Sequence, residues 1–390
     1  MLSWTLKITP DKMKGAAMHS RLFSGLKIGS LELDNRVVMP PMYVGYAKET
    51  GEVSQMVLDH YSLMAQSGAA MIVVESTSID HPMAGGGART LRADDDCFLD
   101  GLEKLAEAIK SQGAVAAIQL NHAGRFSVVT NPLSPTNIDT FGLGRTYKEM
   151  DKDDIAHVGD KFAEAAVRAK KAGFDVVELH GATGYLLSQF ISPWVNRRTD
   201  EYGGSLDNRM RFGLEILKKV RDAVGDMPVG FRFMAHEWLP EGLELVDSLP
   251  YARALEKAGA AYLSVSGGSW ESFMVPEVLI KSIQPCYMVD LAAAVKKEVE
   301  IPVIAAGRIQ EGAVAERILL EGKADLIGLA RPLWADPGWL EKVRHDREDE
   351  IIPCSPSCGD TCMQLVMSFK PAYCTQWSKE KRAEWKAKFE

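Results

Sequence analysis

The chain has 390 residues, a net charge of −8, 46% hydrophobic residues and 25% charged residues. This composition is ordinary for a globular protein, and the length suits one barrel domain of about 250 residues with additions at its ends. The negative charge argues against a nucleic-acid partner, and no apolar run approaches the ~20 residues that cross a bilayer. The N-terminal segment has no secretory signal pattern, so a cytoplasmic location is predicted.

Short apolar runs alternate with amphipathic helical patterns along most of the chain. A turn-rich segment at residues 23–33 precedes the first run and predicts a hairpin that closes the floor of a barrel. The predicted strands are residues 36–39, 70–75, 114–120, 175–179, 229–233, 261–265, 302–305 and 325–329. The predicted helices are residues 55–66, 99–111, 154–172, 205–224, 248–258, 289–299, 311–320 and 337–346. Because apolar strands that alternate with helices form parallel sheets, eight such units predict an α/β fold, the (β/α)8 TIM barrel.

A doubly wound open sheet is the alternative fold. It requires a glycine-rich phosphate turn directly after an early strand. Residues 84–88 contain three glycines, but neither G-x-G-x-x-G nor the start of a helix follows, so the barrel is preferred. We divide the chain into an N-terminal extension (residues 1–21), the barrel (22–347) and a cysteine-rich C-terminal segment (348–390). The charged residues 377–390 predict a surface helix.

The C-terminal segment contains four of the six cysteines. Cys354, Cys358, Cys362 and Cys374 follow the pattern C-x3-C-x3-C-x11-C. Closely spaced thiolates are ligands for soft metals and iron–sulfur clusters, and cytoplasmic cysteine groups bind metal or do redox work more often than they form disulfides. The spacing alone leaves a zinc site and an iron–sulfur cluster as alternatives.

Polar residues mark the ends of several predicted strands, which is the side of a barrel where active sites lie. Gln119 and His180 come at the ends of the third and fourth strands, and Arg232 interrupts the apolar fifth strand. A buried arginine needs an ionic partner or a ligand, so Arg232 belongs either to a structural salt bridge or to a binding site.

The loops after the seventh and eighth strands both combine glycine with arginine. They contain Gly307 and Arg308 in one loop and Gly328, Ala330 and Arg331 in the other. These two loops are the usual phosphate site of a barrel, because glycine lets backbone N–H groups approach and arginine supplies a forked donor. The sequence therefore predicts a phosphorylated planar cofactor.

Several longer motifs resemble those of a known family. They are NRVVMPPM at residues 35–42, QLNHAGR at 119–125, NRRTDEYGGS at 196–205 and NRMRF at 208–212. Over residues 22–374 the chain resembles the Old Yellow Enzyme family of FMN-dependent NAD(P)H:flavin oxidoreductases. The cysteine segment resembles its iron–sulfur branch, which includes 2,4-dienoyl-CoA reductase and trimethylamine dehydrogenase. That branch usually has two residues between its first two cysteines, whereas three separate Cys354 and Cys358 here.

The resemblance implies a set of cofactor ligands. The flavin ring would be bordered by Pro41, Met42, Ser76, Gln119 and Arg232, with the last two on its pyrimidine and N1–O2 edges. The FMN phosphate would be surrounded by Gly307, Arg308, Gly328, Ala330 and Arg331. A [4Fe–4S] cluster would be held by Cys354, Cys358, Cys362 and Cys374.

Three residues are candidates for catalysis. By the resemblance, His180 would bind a carbonyl oxygen of the substrate. Tyr185 would give a proton to the α-carbon after a hydride from the flavin reaches the β-carbon of an activated alkene, or it would only line the site. Glu271 follows Trp270, at a place where dienoyl-CoA reductases carry histidine. We interpret Glu271 as an acid, a base, a contact for a cation or a solvated loop charge.

The predicted activity is the reduction of an enoyl or dienoyl substrate, such as a CoA thioester. Electrons are expected to arrive through the cluster from a second subunit, an electron-transfer flavoprotein or a ferredoxin. Direct reduction by NAD(P)H and an amine dehydrogenase activity of the trimethylamine dehydrogenase type are the alternatives. A homo- or hetero-oligomer is expected.

Overall fold

The computed structural model describes residues 19–388, apart from the side chain of Pro356. Most of the predicted N-terminal extension therefore lies outside the described residues. Within them, eight parallel strands close into a barrel, in the order β3-β4-β5-β8-β9-β10-β11-β12. The strands are β1 (Leu26–Ile28), β2 (Leu31–Leu33), β3 (Val37–Met39), β4 (Met71–Ser78), β5 (Val115–Asn121), β6 (Leu133–Ser134), β7 (Lys148–Glu149), β8 (Val176–Gly181), β9 (Val229–His236), β10 (Leu263–Gly267), β11 (Val303–Ala305) and β12 (Leu326–Gly328).

All eight predicted strands are confirmed, and closure of the sheet excludes the doubly wound alternative. The helices are α1 (Gln55–Ala65), α2 (Leu99–Lys110), α3 (Lys152–Lys171), α4 (Leu186–Ile191), α5 (Leu206–Val224), α6 (Leu245–Lys257), α7 (Pro276–Ser282), α8 (Val289–Lys296), α9 (Gly312–Leu320), α10 (Arg331–Ala335), α11 (Trp339–Arg344), α12 (Thr361–Met367) and α13 (Lys379–Ala387). The predicted helices are present, and the short α4, α7, α10 and α12 are additional. They span only five to seven residues, too few for a helical period to show in the sequence.

Side chains at the starts of the long helices satisfy backbone N–H groups that lack a helical partner. The Ser54 hydroxyl accepts from the Val57 N–H at the start of α1. At the start of α3, Asp151 and Asp154 form a reciprocal capping box. Such caps contribute about 1 kcal/mol each and fix where a helix begins, and thus the length of the loop that enters it.

The floor of the barrel is apolar, and the predicted hairpin packs against it. Ile28 and Leu33 of the antiparallel β1–β2 hairpin join one buried cluster with residues at the start of the barrel strands. These residues are Val38, Ala70, Met71, Val73, Ala117, Val176, Tyr262, Ile304 and Leu326. Because residues two apart on a strand share a face, the inward position above Ala117 is Gln119 and that above Val176 is Glu178. The interior therefore changes from apolar at the floor to polar near the C-terminal ends of the strands.

The C-terminal segment lies against the barrel through buried aromatic contacts. The Trp377 indole N–H donates to the Trp334 carbonyl oxygen at 2.9 Å, and the Tyr46 hydroxyl donates to the Ala372 carbonyl oxygen at 2.6 Å. The predicted surface helix is confirmed as α13, whose Trp385 packs on Tyr46 with ring centroids 5.9 Å apart. Among residues 19–388, no helix has both the length and the apolar character needed to cross a membrane.

Candidate functional site

A cavity of about 250 Å³ opens at the C-terminal ends of the barrel strands. It is lined by all of the predicted cofactor-binding residues except Ser76 and Gln119, namely Pro41, Met42, Arg232, Gly307, Arg308, Gly328, Ala330 and Arg331. Tyr287, Met288, Cys354 and Met363 also line it, and of these four only Cys354 is among the site residues predicted from the sequence. The fold thus brings residues from the first, fifth, seventh and eighth barrel strands to one place.

Two glycines lie at the Arg308–Arg331 end of this cavity, where the backbone carries no side chain. Gly307 has φ +109°, and a Cβ there would lie 3.1 Å from the Met288 backbone nitrogen. At Gly328 a Cβ would lie 3.0 Å from the Ala306 Cβ. A side chain at either position would push these neighbours back by a few tenths of an ångström, and Gly307 also adopts a backbone conformation that favours glycine.

The two arginines at this end share a carboxylate that no sequence motif indicates. Asp360 accepts from Arg308 Nη2 on both oxygens, at 3.2 and 3.1 Å, and from Arg331 Nη1 at 3.0 Å. Arg308 Nη1 is buried and has no hydrogen-bond partner among the described residues. A guanidinium N–H without a partner, next to backbone that carries no side chain, can bind a phosphate group, because charge-assisted hydrogen bonds to phosphate are strong.

The wall below the cavity is a buried polar network. Gln119 Nε2 donates to Glu178 Oε1 at 2.8 Å, and the Tyr262 hydroxyl donates to Glu178 Oε2 at 3.0 Å. Arg232 Nη1 donates to the Ser264 hydroxyl at 2.7 Å. Burial raises the pKa of Glu178, and the charge of Arg232 opposes that rise; burial lowers the pKa of Arg232.

In this network, Gln119 is buried and lies outside the cavity lining, with its amide nitrogen committed to Glu178. Ser76 lies at the irregular stretch of β4, where its register with β5 shifts. Neither position is brought directly to the cavity surface. The glutamate in the strand VVELH was a signal for the network, since a carboxylate among apolar strand residues needs buried partners.

His180 and Tyr185 form an aromatic pair above the polar network. Their ring centroids are 4.7 Å apart at an interplanar angle of 73°. Burial lowers the pKa of His180 well below its ordinary value and raises that of Tyr185. The imidazole is therefore neutral and the phenol protonated near neutral pH. His180 Nδ1 has no hydrogen-bond partner among the described residues, so a donor or acceptor position remains for a ligand.

Other aromatic rings surround Tyr185. Phe126 lies 6.2 Å and Trp270 6.5 Å from it between ring centroids, both close to edge-on. Thr183 adopts the left-handed region at φ +61°, and its carbonyl oxygen accepts from the Trp270 N–H at 3.2 Å. The loop after β8 is thereby tied to the loop after β10, which fixes the position of the tyrosine between them.

Glu271 is only 1% exposed, which excludes its interpretation as a solvated loop charge. Its carboxylate lies 3.3 Å from Arg125 Nη2, and the guanidinium carbon of Arg125 lies 5.0 Å from the Tyr147 ring centroid. Nearby, burial raises the pKa of Glu237 to about 7, although Ser192 donates to its carboxylate. The arrangement is a buried ion pair next to a carboxyl group that titrates near neutral pH.

The four cysteines of the C-terminal segment line one small cavity of about 10 Å³, together with Arg331, Trp334 and Tyr373. All four are free thiols, and burial raises the pKa of Cys354, Cys362 and Cys374. In the part of the chain that the structure describes, no group of three potential ligands has the geometry for a metal ion. Cys354 and Arg331 line both this cavity and the larger one.

Residues 21–350 match the model of the NADH:flavin oxidoreductase / NADH oxidase family. An NADH oxidase from Thermoanaerobacter brockii is 43% identical over 349 residues, which is 88% of this chain and 53% of the relative. The chain thus spans about half the length of that relative.

Solved structures are similar over the same region. A 2-naphthoyl-CoA reductase in complex with 2-naphthoyl-CoA is 27% identical, with a TM-score of 0.86 over 91% of this chain and 56% of that one. Histamine dehydrogenase from Rhizobium sp. 4-9 is 28% identical, with a TM-score of 0.82 over 92% and 52%. The family match covers well over half of the chain, and so this protein belongs to the NADH:flavin oxidoreductase / NADH oxidase family.

Proposed function

We propose that the protein binds FMN in the 250 Å³ cavity and reduces the activated C=C bond of an enoyl or dienoyl substrate, such as a CoA thioester. One observation carries the proposal: the two glycine–arginine loops and Arg232 line one cavity, and the His180–Tyr185 pair lies at the same end of the barrel, with His180 opposite Arg232 in the β8–β9 register. Bound FMN would supply hydride chemistry. Arg308 and Arg331 would hold its phosphate, while Pro41, Met42 and Arg232 would border its ring.

In this proposal His180 binds the substrate's carbonyl oxygen. Its neutral imidazole, with the pKa lowered by burial, can donate a hydrogen bond without losing a proton. Negative charge that develops on the oxygen is stabilised by such a positioned donor. Tyr185 keeps its proton until carbanion character develops at the α-carbon, because burial raises the pKa of the phenol. Glu271, bound to Arg125, would hold the loop after β10 in place rather than transfer a proton.

The C-terminal cysteines support an electron path in the proposal. Cys354 and Arg331 line both cavities, so a [4Fe–4S] cluster held by Cys354, Cys358, Cys362 and Cys374 would lie next to the flavin. We propose that electrons enter through this cluster from a second subunit, an electron-transfer flavoprotein or a ferredoxin. Direct reduction of the flavin by NAD(P)H is the alternative route.

An amine dehydrogenase activity is the second candidate. The aromatic rings of Phe126, Tyr185 and Trp270 favour it, because aromatic faces attract cationic ligands, and histamine dehydrogenase is among the similar structures. Against it, the Glu271 carboxylate already neutralises Arg125 and is not free to bind a cationic substrate.

An anaerobic experiment separates the candidates. The purified protein is analysed for FMN, iron and sulfide, reduced with dithionite and mixed with an enoyl-CoA, while the oxidised protein is mixed with amines. We expect the enoyl-CoA to reoxidise the flavin, and Tyr185→Phe to slow that step by about 10²- to 10⁴-fold at unchanged FMN content. Tyr202→Phe, at an exposed hydroxyl that contacts Glu215, is the matched control and should react like the wild type. Reduction of the flavin by amines, with no reaction towards enoyl-CoAs, would overturn the proposal in favour of the second candidate.

A further inference from the structure

Asp360 connects the cysteine segment to the predicted phosphate site. It lies in the turn between Cys358 and Cys362, in the left-handed region at φ +50°, directly before α12. Its side chain makes no capping bond to that helix. Instead the carboxylate reaches across to Arg308 and Arg331, which precede it by 52 and 29 residues.

The contact between Asp360 and Arg308 is partly shielded from water, and a second hydrogen bond fixes the position of the Arg308 side chain. The side chains of Arg308 and Asp360 are 5% and 29% exposed, and Arg308 Nε donates to the Ser282 carbonyl oxygen at 2.8 Å. This hydrogen bond orients the guanidinium independently of its contact with Asp360. Charged pairs with these features interact more strongly than surface ion pairs, which are worth little.

We propose that Asp360 is an internal anion that competes with the phosphate of the cofactor for Arg308 and Arg331. The inference rests on the proposed binding of FMN. A phosphate dianion that approaches the two arginines meets a carboxylate already bound there, so phosphate binding weakens the hold on Asp360 and repels it. Because Asp360 belongs to the turn between two cysteines, phosphate occupancy and the position of that turn become thermodynamically linked, and the linkage is reciprocal.

Binding measurements on the full chain, freed of flavin and metal, test this competition. Asp360→Asn removes the competing charge, and FMN should bind about 10- to 100-fold more tightly, the range that one or two charge-assisted hydrogen bonds provide. Riboflavin, which lacks the phosphate, should bind both proteins equally. Asp349→Asn, at an exposed carboxylate of the same segment, is the control and should leave FMN affinity unchanged.

The outcomes distinguish the inference from the function on which it rests. Unchanged or weaker FMN binding by Asp360→Asn, or an equal gain for riboflavin, overturns the competition. If the wild-type chain binds neither FMN nor riboflavin, the proposed function fails instead.

The linkage has its own readout in the reactivity of Cys358, which does not line the flavin cavity. In the metal-free wild type, FMN or inorganic phosphate should raise the rate of alkylation of Cys358, because the turn is released from the arginines. Riboflavin should have no effect, and in Asp360→Asn neither FMN nor phosphate should change the rate. Equal acceleration by FMN in both proteins, or none in the wild type, would refute a linkage through Asp360.

Discussion

Replacing Glu178 by glutamine is expected to raise the midpoint potential of the bound flavin. Burial raises the pKa of Glu178, whereas the charge of Arg232 and the hydrogen bonds that Tyr262 and Gln119 donate to its two oxygens oppose that rise, and we expect the ionised form. A negative charge below the flavin site disfavours the electron-rich reduced ring. The glutamine side chain has the same shape but no charge, so reduction becomes easier in the variant.

The magnitude follows from the spacing of the network. Glu178 does not line the cavity, so its charge acts on the flavin over a distance on the order of 10 Å, which at an effective dielectric constant of about 20 is worth about 1.7 kcal/mol. For a two-electron couple this corresponds to about +35 mV. Stability falls as well, because an amide offers only one acceptor oxygen for two donors, so one buried donor is left without a partner. A buried polar group left without a partner costs about 1–3 kcal/mol.

A spectroelectrochemical titration of the purified holoprotein measures the shift. Tyr262→Phe is the matched control, since it removes one hydrogen bond to Glu178 but keeps the charge, and its potential should stay within about 10 mV of the wild type, well below the charge effect. A Glu178→Gln potential equal to that of the wild type, in protein with full flavin content, would show that the carboxyl carries no charge that the flavin senses.

Three further outcomes are expected. Glu271→Gln should lower the free energy of unfolding in urea by about 3–5 kcal/mol, because Arg125 stays buried without a counter-charge. The control is Glu149→Gln, whose side chain is 47% exposed and 3.9 Å from Arg198, and it should lower that free energy by less than about 1 kcal/mol. Equal losses in the two variants would refute the burial argument. Burial raises the pKa of Glu237 to about 7, above the ~4.5 expected in the unfolded chain. The stabilisation that this carboxyl group provides is therefore complete below pH ~4.5, and about 3 kcal/mol of it is lost as the pH rises towards 7. Glu237→Gln should remove that part of the decline, and an identical pH profile would count against the raised pKa. Cys374→Ser should abolish bound iron and sulfide while Cys97→Ser, at an exposed thiol, retains them; iron retained by Cys374→Ser would exclude this cysteine as a ligand.

Much of the candidate site was visible in the sequence, because its parts are local. The glycine–arginine pairs at residues 307–308 and 328–331 follow strands directly, and a strand end fixes where the next few residues lie. Once eight β/α units are identified, barrel geometry brings those loops together. The partners of these residues were not predictable in the same way. Glu178 bonds to Tyr262, 84 residues later, through the polar layer of the closed barrel.

The sequence by itself determined the eight-stranded barrel, the hairpin at its floor and the loops that line the cavity. Each of these follows from a periodicity or a glycine within a few residues. Only the tertiary structure decided that Asp360 meets Arg308 and Arg331, and that Glu271 is a buried partner of Arg125. Such contacts depend on how loops from distant strands pack over the barrel, and no local pattern encodes which charges they bring together.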